Sequence, residues 1–156
     1  MAKRNLPIGI EFYKKVIDEA YFYVDKTLII KELLDRQSYV NLFTRPRRFG
    51  KTLALDMLKT FFEDEIDEKG NAVDNSRYFA DKKIMDAGNQ YIQHMGRYPV
   101  IYLSFKSSKQ ADWDTTFWMI KKQIAEEYIR HQYVLQTDDL LEVEKNLYRN
   151  IMSLAD

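Results

Sequence analysis

Cysteine is absent from this chain of 156 residues, and glycine and proline are scarce, at five and three. Without a thiol there is no disulfide framework, no thiolate metal site and no cysteine nucleophile. Two histidines, His94 and His131, are present, and they stand outside any ligand spacing such as H-x-x-x-H, which argues against a zinc centre. An excess of one charge is also lacking. The 24 basic and 24 acidic side chains cancel, so no global field draws nucleic acid or an anionic membrane, and any binding is local. No apolar run reaches the roughly 18 residues that a membrane span needs. The charged N-terminus, Met1-Ala2-Lys3-Arg4, leads to Glu11, Lys14 and Lys15 with no apolar signal core between. These absences give the expectation of a cytoplasmic protein with no membrane partner.

What is present suits a folded domain. Hydrophobic residues make up 46% and charged residues 31%, enough to bury a core and stay in solution, and the length suits a single domain over residues 1–156. Apolar periodicity predicts helices over residues 11–19 and 26–34, the second carrying Leu28-Ile29-Ile30 and Leu33-Leu34 as a stripe. The segment YVNLFT, 39–44, is β-rich and reads as a buried strand. From Lys51, the recurrence of Leu53, Ala54, Met57, Leu58 and Phe61 predicts a helix of about three turns. The acidic run 63–76 reads as a solvated connection, and 80–95 as a weakly periodic helix. YPVIYLSF, 98–105, suits a second core strand buried on both faces. A long amphipathic helix follows, carrying Trp113, Phe117, Ile120, Ile124 and Tyr128. The last is expected to start near Asp139, with Glu142 completing a capping box. Its apolar stripe runs to within two residues of the end, as in a chain that continues. The fold expected from this order is α/β, a P-loop NTPase-like and mainly parallel sheet flanked by helices, with part of the sheet missing.

Between the first strand and its helix lies RPRRFGKTL, residues 45–53. Gly50-Lys51-Thr52 ends a phosphate loop, but Arg45 stands where G-x-x-x-x-G-K-[ST] has its first glycine. Pro46 pushes its predecessor towards extended geometry, which arginine tolerates. Proline lacks one N–H, yet Arg47, Arg48, Phe49, Gly50, Lys51, Thr52 and Leu53 still offer backbone or side-chain contacts to a nucleotide. In a working loop Lys51 reaches the β and γ phosphates of ATP and the Thr52 hydroxyl ligates Mg2+. The competing reading is an ordinary strand-to-helix turn. Arg45, Arg47 and Arg48 either neutralise phosphate, contact nucleic acid, or are merely solvated.

Together with LPIGIEFYKKV (6–16), YVDKT (23–27) and YPVIYLSFK (98–106), the loop resembles the predicted AAA-ATPase-like family of bacteria and archaea. Arginine at position 45 is in keeping with that family's Pro-Arg-Arg loop. The resemblance implies an N-terminal P-loop ATPase domain, often followed by a PD-(D/E)-x-K nuclease-like domain for which this chain has no room. The family's Walker B strand normally follows the helices with which the chain stops, and no internal segment replaces it. ATP binding with negligible hydrolysis by this chain alone is therefore expected. The incomplete sheet leaves an open face for a homo-oligomer or another protein, so a non-catalytic interaction module is the rival reading. Asp25 and Lys26 either touch the nucleotide beside the loop, or Asp25 caps the helix that follows it.

Overall fold

A computed structural model describes residues 5–44, 46, 49–67, 69–106 and 111–154. Among the described residues six α-helices form: α1 (Tyr13–Asp18), α2 (Leu28–Arg36), α3 (Lys51–Phe62), the short α4 (Asn89–Ile92), α5 (Trp113–Arg130) and α6 (Glu142–Met152). Short 3-10 turns lie at Ser76–Tyr78, Lys83–Asp86 and Gln132–Gln136. The chain divides into two compact units, Met1–Val100 and Ile101–Asp156. Among the described residues, no helix is long and apolar enough to cross a membrane.

In the first unit the core is aromatic. Tyr13 of α1, Ile30 of α2, Met57 and Phe61 of α3, and Tyr78, Phe79, Ile84 and Tyr91 beyond them form one buried cluster. Phe61 meets Phe62 and Phe79 edge to face, with centroids 5.1 and 5.2 Å away. This geometry matches the positive edge of one ring to the negative face of the next. The helical spacing of Met57 and Phe61 is what brings both to the core side of α3. A carboxylate joins them there: Asp56, almost fully buried, accepts the Tyr13 backbone N–H at 2.6 Å and ties α1 to α3. Burial pushes the Asp56 carboxyl above the ordinary carboxylate range, against the opposing pull of the Tyr13 amide, Lys59 and Lys14.

In the second unit α5 packs on α6, where the Tyr128 and Tyr148 rings lie 4.6 Å apart and the Tyr148 hydroxyl donates to the Tyr128 carbonyl at 2.9 Å. Asp112 caps α5 by accepting the Thr115 N–H at 2.8 Å. The start of α6 differs from the Asp139 expectation. The helix begins at Glu142, and its first turn is held by Glu144, whose carboxylate accepts the Leu141 N–H at 2.8 Å.

The expected α/β P-loop sheet is not present among the described residues. They contain two isolated bridges, a parallel one between Glu63 and Tyr98 and an antiparallel one between Ile66 and Ala72, and no strand ladder. Residues 39–44 are irregular and join no ladder, with Tyr39, Val40 and Leu42 exposed. In 98–105, Tyr98 alone pairs with the end of α3, donating to the Phe62 carbonyl at 2.9 Å, while Ile101 and Phe105 are exposed. The physical reason is that β-propensity measures fit to a neighbouring strand rather than a preference of the isolated backbone. An extended segment lacking that neighbour stays a coil however apolar its sequence. The oligomer expected across an open sheet face thereby loses its premise.

Candidate site at the start of α3

Helix α3 opens at Gly50, which takes φ 71° and ψ 31°, a left-handed conformation that glycine adopts without strain. Its carbonyl accepts the first helical bond, from the Ala54 N–H at 2.9 Å. The amides ahead of that bond, Thr52 and Leu53 among them, therefore point out of the helix end with no helical acceptor. The helix dipole adds partial positive charge at the same place.

Two lysines converge there from different elements. Lys51, the first residue of α3, donates through Nζ to the Pro46 carbonyl at 3.5 Å. Lys26, just ahead of α2, donates through Nζ to the Phe49 carbonyl at 3.3 Å. The Lys26 ammonium lies 3.7 Å from where a Cβ on Gly50 would stand. Both lysines line a cleft of about 230 Å³ whose apolar wall includes Leu28 and Ile29 of α2, Phe43, and Leu55 and Leu58 of α3. Glu32 contributes the cleft's carboxylate.

Lys26 is placed by its neighbours. The Asp25 carboxylate accepts the Thr27 N–H at 2.8 Å and the Thr27 hydroxyl at 2.7 Å through one oxygen, and the Lys83 N–H at 2.8 Å through the other. Thr27 is fully buried and its hydroxyl accepts the Ile84 N–H at 3.2 Å. Asp25 thus fastens the start of α2 to the 83–86 turn. Burial alone would raise its carboxyl, but the Lys83 and Thr27 amides, the Thr27 hydroxyl and the Lys82 charge outweigh burial and hold it below its ordinary value.

Of the residues expected to bind nucleotide, Phe49, Gly50 and Lys51 come together in the cleft wall. Thr52 lies one position along the helix and does not line it. Its hydroxyl has no hydrogen-bond partner among the described residues, which suits a magnesium ligand, since that ion takes few protein ligands and completes its shell with phosphate and water. The Leu53 side chain packs against the core, so its backbone amide alone faces the helix end. Arg45, Arg47 and Arg48 lie outside the described residues. No group of three or more His, Asp or Glu side chains that could hold a metal occurs among the described residues. Glu32 escaped the sequence reading, although its spacing from Leu28 and Ile29 puts it on their face of α2.

A family model described as Predicted AAA-ATPase matches residues 7–156. Over 63 residues, 40% of the chain, the sequence is 43% identical to a protein of Azotobacter chroococcum mcd 1 described as an uncharacterized protein in the vnfD 5' region. That match spans 12% of the relative's length. No solved structure matches the chain.

Proposed function

Because the chain belongs to the predicted AAA-ATPase family, we propose that the cleft at the start of α3 binds the phosphates of ATP with Mg2+. The observation that carries this reading is the convergence of Lys51, the glycine-opened helix end and a second lysine on one cleft. Lys51 neutralises the terminal phosphates. Amides of the first turn of α3 donate to phosphate oxygens, and the absence of a Cβ at Gly50 leaves the approach open. Thr52 is the protein's contribution to magnesium, which when bound neutralises phosphate charge.

Turnover by residues 1–156 alone is negligible in this reading. Metal-assisted attack by water needs carboxylates that hold the magnesium hydration shell and orient the nucleophile. Glu32 is the sole carboxylate lining the cleft among the described residues, and it stands on α2 among apolar neighbours. A steady-state assay giving about one turnover per second, abolished by Lys51→Ala, overturns this part.

Thermal unfolding with a non-hydrolysable magnesium–ATP analogue tests the binding itself. At a hundred times its dissociation constant a ligand adds about 2.7 kcal/mol to the folded state. The shift is expected in the wild type and lost in Lys51→Ala. No shift in the wild type refutes nucleotide binding by this chain.

A further inference from the structure

We propose that Lys26 is a second phosphate-binding cation, reaching a polyphosphate from the α2 side of the cleft while Lys51 reaches it from α3. This rests on the reading of the cleft as a phosphate site, and it adds a residue and a ligand chemistry to it.

Lys26 differs from the lysines around it. Lys14 pairs with Glu65, Lys31 with Asp35 and Lys59 with Glu63. In a chain with 24 acidic residues, the Lys26 ammonium has no carboxylate at ion-pair distance among the described residues. Its bond is to the neutral Phe49 carbonyl at 3.3 Å, beyond the usual range for such bonds. A phosphate oxygen outcompetes that carbonyl, because charge-assisted bonds are shorter and stronger than those to neutral acceptors.

The lysine is also held in place before any ligand arrives. Asp25 is bonded to Lys83 and Thr27, and Thr27 to Ile84, so the backbone on both sides of Lys26 is fastened to the core. A cation on an anchored stem loses less freedom on binding than one on a free loop. Two ammoniums facing one cleft repel each other, and an anion between them removes that repulsion.

The cleft's cations narrow the ligand class. With two ammoniums facing it, recognition runs through phosphate charge and extends to inorganic triphosphate.

Isothermal titration of the 156-residue chain, with the magnesium complexes of a non-hydrolysable ATP analogue and of inorganic triphosphate, tests the assignment. Lys26→Met is expected to weaken both ligands about tenfold or more, the loss of one charge-assisted contact, and to leave the ligand-free melting temperature unchanged. Lys26→Arg, which keeps the charge, should bind within about threefold of the wild type. A purely structural lysine would lower the melting temperature in Lys26→Met, and this outcome overturns the proposal. If Lys26→Met binds like the wild type while Lys51→Ala does not bind, the role of Lys26 is refuted and the phosphate cleft stands. Binding of the ATP analogue without inorganic triphosphate refutes recognition by phosphate charge. No binding to the wild type refutes both readings.

Discussion

Replacing Asp25 by alanine removes three acceptor contacts at once and should loosen the start of α2. The Lys83 N–H it abandons belongs to an exposed residue and can turn to water, but the Thr27 N–H lies in a residue with no exposed surface. A buried donor left unsatisfied costs about 1–3 kcal/mol, and the lost charge-assisted bonds add to that. With allowance for rehydration at Lys83, destabilisation of about 2–3 kcal/mol is expected. Tryptophan fluorescence is the wrong probe, since Trp113 and Trp118 both belong to the second unit. Amide hydrogen exchange is the right one, because the Ile84 amide bonded to the Thr27 hydroxyl and the amides of α2 lie in the affected region. Acid provides a second arm. The folded carboxyl sits below its ordinary 3.8, so its stabilisation is present above about pH 4 and fades as pH falls through the folded value. The gap between the wild type and Asp25→Ala should therefore narrow on acidification. A loss below about 0.5 kcal/mol, the scale of an ordinary surface substitution, refutes the clamp. So does exchange that speeds up equally across both units.

Phe61→Ala empties a fully buried site contacted by two other rings and should cost about 3–5 kcal/mol, read as a lower urea midpoint by far-UV circular dichroism. Asp56→Asn keeps an acceptor for the Tyr13 amide and removes a buried charge. The folded carboxyl is raised, so the ionised form weakens the wild type as pH rises through that value. The variant should therefore be more stable than the wild type at pH 7 and no more stable at pH 3, by urea titration at the two pH values. Gly50→Ala puts a side chain on a left-handed residue at a cost of about 1–2 kcal/mol, and should weaken binding of the ATP analogue by calorimetry.

The helix after the loop was legible because its information is local, whereas the helix expected over 80–95 breaks into a 3-10 turn at Lys83–Asp86 and the short α4. Lys51 to Phe61 carries its own 3.6-residue rhythm, and the structure starts α3 at Lys51. The glycine that opens that helix could be read from the sequence for the same reason. What could not be read depends on partners remote in sequence. The two apolar runs looked like core strands, but a strand is a relation between two segments, and the pattern of one says nothing about the presence of the other. Asp25 shows the same limit in side-chain form: it is not the N-cap the sequence suggested, since Thr27 holds that position, and while its bond to the Thr27 amide is two residues away, the Lys83 amide it also holds is 58 positions distant. The cleft lies between these cases, since Lys51 announced itself by motif and Glu32 required knowing which side of α2 faces α3.

The bare apolar run 39–44 has a practical consequence for every measurement on this protein. Among the described residues it joins no strand ladder, and Tyr39, Val40 and Leu42 are exposed. Exposed apolar side chains on unladdered backbone favour sticking to another chain in solution. Self-adhesion rises with concentration and with salt, the same variables that a phosphate titration changes. A dilution series without ligand therefore belongs beside each titration, so that the heat of chains sticking together is not mistaken for the heat of a phosphate settling between two lysines.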